Sequence, residues 1–294
     1  MRSLIYKLII LLFGSIATSS ISWADPDPIK MITRNDTNSE YAIGMLQLAL
    51  GKTEKKYSYV MEPGALTGAR QLQNLVEGKI DVIWTATNTE HEEASIPIRV
   101  PLYKGLLGYR VMLIHRKNRD VFDAVATLSD LNTVKLGQGL GWSDTDILRA
   151  NGLTVVTANK YESLFYMLDG GRFLGFPRGV HEPWAEMENR PDLELTVDNN
   201  LLLVYKMPFY LFITPKRAEL AADVQRGFEM AIRDGSFDAY FFNNPTVKMV
   251  LNKVDMTSRR IFELDNPNLP PNTPTEDNRL WFNALQAHTT PGEF

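Results

Sequence analysis

The sequence predicts an α/β fold of two lobes, each a mainly parallel sheet flanked by helices, with two hinge crossings between them. Three observations carry this expectation. Short apolar strands alternate with segments of helical spacing along most of the chain, the pattern of layered α/β domains. Two long apolar stretches, residues 107–115 and 201–214, bracket one self-contained α/β series. The chain has no cysteine, so its stability must come from burial, and a 44% hydrophobic content supplies the means.

In order, residues 29–33 read as a strand, 41–50 as a helix and 57–61 as a second strand. Residues 66–76 read as a helix with Leu72, Leu75 and Val76 on one face, ended by Gly78. Residues 80–84 are almost continuously apolar, as in a strand covered on both faces. After 107–115, the polar stretch 116–120 opens a second series. It comprises a strand at 134–136, a glycine-rich turn at 137–141, a helix at 144–151, a strand at 154–157, a helix at 161–168, a strand at 173–176 and a helix through 182–187. After 201–214, a helix at 218–232 completes the first lobe. The expected division is a signal segment at 1–24, lobe one at 25–116 and 201–265, lobe two at 117–200, and an extended tail at 266–294 strapped over a lobe. A cleft between the lobes is where such a fold takes a ligand.

The N-terminus sets the expected compartment. Arg2 and Lys7 flank the start of a short apolar run, and Ser22-Trp23-Ala24 places small residues where a signal peptidase cuts. The run falls short of the roughly 20 residues that span a bilayer, and the lack of cysteine excludes lipid anchoring. Removing two positive and no negative residues takes the formal charge from −4 to −6. A mildly acidic chain with no basic block argues against a nucleic-acid partner. The expectation is a periplasmic monomer that binds a small molecule, with no cofactor and no metal.

Five short patterns then occur in register. They are Leu75-Val76-Glu77-Gly78-Lys79-Ile80-Asp81-Val82, Thr87-Asn88-Thr89, Pro101-Leu102-Tyr103, Leu128-Ser129-Asp130-Leu131 and Asp234-Gly235-Ser236-Phe237. In their order and spacing, from about residue 29 to 243, the chain resembles family 3 of the bacterial solute-binding proteins, which includes amino-acid-binding components of ABC importers. The resemblance implies a periplasmic-binding-protein type II fold and an interlobe ligand site. It also implies either an inner-membrane ABC permease or a membrane-bound sensor as partner. Two positions depart from the family pattern. Glu92 stands near the place of an arginine that clamps an α-carboxylate, and Arg178 near that of an aspartate that receives an amino group. In its Pro177-Arg178-Gly179 the chain is similar to a separate branch of the family. With both anchors reversed, the expected ligand is a small anionic or zwitterionic solute other than an ordinary α-amino acid.

The candidate ligand-binding residues follow from the chemistry of their positions. Gly137-Gln138-Gly139-Leu140-Gly141-Trp142-Ser143 is a strand-to-helix turn whose backbone N–H groups can attract a carboxylate or phosphate. Its spacing is neither a dinucleotide fingerprint nor a P-loop. Within it Gly139, Trp142 and Ser143 are candidates, although Trp142 could equally wedge the helix and Ser143 cap it. Arg178 can hold an anion in a bidentate pair, or can pair with Glu182. Trp84 and Thr87 end a parallel strand, where open α/β sheets bind ligands; Thr89 belongs to the Thr-x-Thr pattern, and Arg70 is a weaker candidate on a solvated face. His91-Glu92-Glu93 and His181-Glu182-Pro183 lack the second histidine of a zinc helix, and Gly141-Trp142-Ser143-Asp144-Thr145 lacks the last glycine of a nucleophile elbow. Binding without turnover is therefore expected, with a dehydratase-like enzyme as the minor alternative. The exported protein is predicted to begin at Asp25 in the periplasmic fraction. N-terminal sequencing checks this, and an intact Met1 in the membrane fraction contradicts it.

Overall fold

The computed structural model describes residues 25–33, 37–64 and 66–285, so the expected signal segment and the end of the tail lie outside the described residues. The chain begins β1 (Asp27–Thr33), α1 (Thr37–Leu50), β2 (Tyr57–Pro63), α2 (Gly68–Val76), β3 (Val82–Ala86), α3 (Thr89–Ala94) and β4 (Ile96–Ile98). It then crosses to β5 (Tyr109–His115), α4 (Arg119–Asp123), α5 (Leu128–Asn132), β6 (Leu136–Gly139), α6 (Ser143–Ala150), β7 (Val155–Ala158) and α7 (Tyr161–Asp169). This second series continues through β8 (Gly175–Gly179), α8 (Pro183–Glu188), β9 (Leu195–Val197) and β10 (Leu201–Val204). The return comprises β11 (Phe209–Ile213), α9 (Ala218–Arg233), α10 (Ser236–Asn243), α11 (Pro245–Lys253) and β12 (Arg260–Glu263).

Local chemistry explains several starts. Thr67 accepts from the Arg70 N–H ahead of α2, Thr127 and Asp130 form a capping box on α5, and Asn244 caps α11 with Pro245 in its first turn. In lobe one β2 and β1 pair in parallel, and the Asp81 N–H donates to Lys30 O at 2.8 Å, which sets β3 beside β1. The returning β11 runs antiparallel between β3 and β4. In lobe two the order is β12-β10-β5-β8-β6-β7, with β9 also on β5. Parallel pairs join β6 to β7 and β8, and β10 to β12, while β5 runs antiparallel to β8, β9 and β10. The strands separated by helices are thus parallel, and the strands next to the crossings reverse.

The pairings shift the boundaries drawn from the sequence. Residues 109–115, 201–204 and 260–263 had been expected in lobe one, yet β5, β10 and β12 are all hydrogen-bonded into the lobe-two sheet. The reason is that the second long apolar stretch is not a single strand. Residues 201–214 split into β10 and β11 around Tyr205–Pro208, and the crossing lies in that break. The other crossing lies between β4 and β5, where the Tyr205 N–H donates to Gly108 O at 3.1 Å, holding the two crossings side by side. The tail also differs from its expected place over one lobe, because it touches both.

Tyr41, Met45, Leu46 and Ala49 of α1 pack with Val224 and Phe228 of α9 in the core of lobe one. Leu136, Ile147, Phe165, Phe173 and Phe176 are buried in lobe two. Phe228 is fully buried and meets Phe237 edge to face. Phe228→Ala is expected to lower stability by about 3–5 kcal/mol, measured by chemical denaturation. A loss under about 1 kcal/mol would contradict the placement of α9 in the lobe-one core.

Candidate functional site

A cluster of buried charges lies where the two lobes meet. On the lobe-two wall, Arg110 of β5 and Arg178 of β8 are buried together with Asp144, Glu182 and Glu186. A charge leaves water only with partners, and here every one of these has them. Arg110 Nη2 lies 2.8 Å from Asp144 Oδ1 and its Nη1 3.3 Å from Glu182 Oε2. Arg178 Nη2 lies 3.1 Å from Glu182 Oε2 and 2.6 Å from Glu186 Oε1. Hydroxyl and amide donors complete the carboxylate shells. Tyr205 donates to Asp144 at 2.5 Å, Tyr161 to Glu186 at 2.6 Å, and the Gly179 N–H to Glu182 at 2.7 Å.

Lobe one reaches this network through Asn38, in the first turn of α1. Its Nδ2 donates to Glu182 Oε1 at 2.8 Å, and its Oδ1 lies 3.0 Å from His181 Nε2, which donates in the tautomer this contact requires. Tyr103 stacks on His181 at 4.2 Å between ring centres and on Tyr41 at 4.0 Å. One lobe-one amide thus reads a neighbouring imidazole and carboxylate of lobe two.

The titration of these groups follows from their surroundings. Burial alone would raise the Glu182 carboxyl, but Arg178 and Arg110 outweigh it and hold it below the ordinary carboxylate range. Burial lowers His181 to about 4 against the opposing pull of Glu182, with Arg110 and Arg178 adding to the lowering. Burial would lower Arg178, yet Glu182 and Glu186 raise it further, so it stays charged.

The expected site residues divide into three groups. Gly139, Trp142 and Arg178 come together. Trp142 lies across Gly139, where any Cβ would stand 2.2 Å from its ring, and Arg178 sits 5.4 Å from the Trp142 ring centre and 4.8 Å from that of Phe176. Ser143 is buried at the start of α6 beside Asp144. Thr87 is buried in lobe one and donates to Glu92, which is also bound by Arg99 at 2.7 Å, while Trp84 packs in the lobe-one core. Arg70 and Thr89 are exposed, and Arg70 bonds Gln73 of its own helix.

The expectation that Arg178 offers a free anion clamp is corrected, because Glu182 and Glu186 already use its guanidinium. Its pairing with Glu182, the other reading of the sequence, is what the structure contains. Arg110, Asn38, Tyr103 and Glu186 were missed. Arg110 had a signal, as the lone charge inside the otherwise apolar stretch 107–114. Among the described residues no cluster of side chains is placed to hold a metal ion.

Arg178→Ala leaves two buried carboxylates without their main counter-charge and is expected to cost about 3–5 kcal/mol. Denaturant unfolding at neutral pH checks this, and an unchanged midpoint would contradict the network. The pH dependence has a fixed sign. His181 has a folded pKa near 4 against an ordinary 6.5, so the unfolded chain binds more protons in that interval and stability falls with pH from 6.5 downward. The slope from His181 is at most about 1.4 kcal/mol per unit. Glu182, also lowered, adds a loss of the same sign below its ordinary 4.5. Stability measured from pH 8 to 4 should decline below 6.5 in the wild type and less steeply in His181→Gln. A rise on acidification would contradict it.

No family model and no curated protein sequence matches this chain. Solved structures do. A periplasmic binding protein of Salmonella typhimurium, described by its high arginine specificity, is 14% identical with a TM-score of 0.53, over 73% of this chain and 97% of that one. An amino-acid ABC transporter substrate-binding protein from Streptococcus pneumoniae, bound to L-arginine, is 13% identical with a TM-score of 0.54, over 73% and 92%. An ancestral amino-acid-binding protein, a precursor of cyclohexadienyl dehydratase, is 16% identical with a TM-score of 0.51, over 73% and 93%. At such identities the likeness speaks for architecture alone. It agrees with the resemblance in the sequence motifs: the chain has the two-lobed fold of periplasmic amino-acid-binding proteins.

Proposed function

We propose that this chain is a periplasmic solute-binding protein that captures a small molecule between its lobes and delivers it to an inner-membrane ABC importer. The observation that carries the proposal is the bridge from Asn38 to His181 and Glu182, which joins the lobes at the ends of their strands, where a binding protein of this fold closes. Among the described residues no helix is long and apolar enough to cross a membrane. The buried carboxylates favour binding over turnover. Asp144, Glu182 and Glu186 are each held by an arginine and by a hydroxyl or amide donor, an arrangement that fixes them as ion-pair partners instead of freeing a proton for transfer.

The charge balance of the wall also sharpens the solute class. Arg110 and Arg178 face three buried carboxylates, so the wall carries one excess negative charge. On the other lobe, Glu92 is matched by Arg99. A net anion would meet repulsion here, and a zwitterion or a neutral solute would not. Of the two options in the sequence reading, anionic or zwitterionic, this balance supports the zwitterionic one.

A thermal-shift screen with zwitterionic, cationic and dianionic metabolites tests this. A solute bound by the native state at 100 times its dissociation constant adds about 2.7 kcal/mol, a rise of several degrees. Stabilisation by zwitterions is expected. Stabilisation by dianions alone contradicts the charge argument, and chemical conversion of the stabilising solute contradicts the binding role.

A further inference from the structure

We propose that the C-terminal segment, residues 264–282, is a strap that locks the interlobe hinge, so that the lobes open only when its aromatic end is released. The proposal rests on the reading that the lobes open and close around a solute.

The first crossing carries the backbone strain. Lys104 (φ +48°) and Gly105 (φ +82°) are consecutive residues in the left-handed region, and Lys104 is the one non-glycine residue there among those described. A non-glycine residue in that region is strained and persists only where surrounding contacts fix it. The tail supplies those contacts. Lys104 O accepts from the Phe282 N–H at 2.8 Å, and Lys104 Nζ donates to Arg279 O at 2.5 Å and to Asp238 of α10 at 2.6 Å. The Trp281 ring lies against Gly105, 2.6 Å from where a Cβ would be. No other residue type could accept both that conformation and that ring.

The same segment holds the second crossing. Asn266 Nδ2 donates to Lys206 O at 2.8 Å, and Lys206 Nζ lies 5.9 Å from the centre of the Trp281 ring. Trp281 therefore touches residues of both crossings. Its own Nε1 donates to Pro274 O at 2.8 Å, which fixes the ring to the strap.

The two ends of the segment are anchored in different lobes. At the lobe-two end, the Leu264 N–H donates to Val204 O at 2.9 Å, and Asp265 exchanges two hydrogen bonds with Asn151 at the end of α6. At the lobe-one end, Phe282 packs on Phe241 and Phe242 of α10. The strap is thus a fourth covalent path between the lobes, after the two crossings and the connection from α10 through α11 to β12, and it lies over the strained backbone of the first crossing. Rotation at Lys104–Gly105 would pull Phe282 and Trp281 from their seats or break the Asn266–Lys206 bond.

The lack of cysteine permits a direct test on the full mature chain, with nitroxide labels at Arg172→Cys in lobe two and Glu229→Cys in lobe one, both exposed. Electron–electron distances are measured without added solute, so the result does not depend on which ligand binds, or on whether one does. The intact strap is expected to give one narrow distribution. Trp281→Ala with Phe282→Ala is expected to add a longer-distance population, at least about tenfold larger than in the labelled parent. If the aromatic double variant fails to fold by circular dichroism, Asn266→Ala with Lys206→Met should shift the distribution in the same direction. Distributions that superimpose on the parent in the folded strap variants overturn the proposal.

Discussion

The fold turns on one buried ionic network: Arg110 and Arg178 shared among Asp144, Glu182 and Glu186. These residues come from β5, β8, α8 and the first turn of α6, so the pairing sets how the helices of lobe two sit on the ends of its strands. Neutral donors add to the ion pairs, while the buried Arg110 Nε is left without a partner. Tyr161, Tyr205, the Gly179 N–H and Asn38 each donate to one of the three carboxylates. Of these, Asn38 alone comes from lobe one. In the proposed function, closure of the cleft would bring Asn38 onto Glu182.

That coupling gives the interface its character. A buried ion pair adds little to stability beyond an apolar packing of equal volume, while a broken one is costly. The network is better understood as a device for position. It keeps Glu182 ionised and aimed at the opposing lobe, while burial keeps His181 neutral, with one ring nitrogen turned to Asn38. In the proposed function, a solute between the lobes would compete with, or build on, a contact whose geometry is already fixed. The strap works at the other end of the lever, where it limits how far the hinge can turn.

Much of the architecture was legible from periodicity. β1, α1, β2, α2, β5, α6, β7, α7 and the return helix α9 lie close to where hydrophobic spacing puts them, whereas α3, β4, α4 and α5 were not read and residues 137–139, expected in the glycine-rich turn, belong to β6. The crossings were misplaced because an apolar run does not say which sheet it joins. Residues 201–214 look continuous, yet Lys206 and Pro208 interrupt the ladder between β10 and β11. β12 went unseen for a related reason, since its residues are mostly exposed and its partner β10 lies far away in sequence. In the site, the glycine turn and Arg178 stood out as local patterns. Their partners did not, because Asn38, Arg110 and Glu186 have meaning only once three separate segments meet. Arg178 shows the limit plainly: its position was readable, and whether its charge was free was not.

The central claim is that a solute is held by closing Asn38 onto the His181–Glu182 pair. Calorimetric titration of the solute that most stabilises the wild type, repeated with Asn38→Ala, tests it most directly. Loss of a hydrogen bond to a charged group amounts to about 1.5–3 kcal/mol, so the account predicts binding weakened by about 10- to 100-fold in a variant that remains folded. An affinity equal to that of the wild type would contradict it.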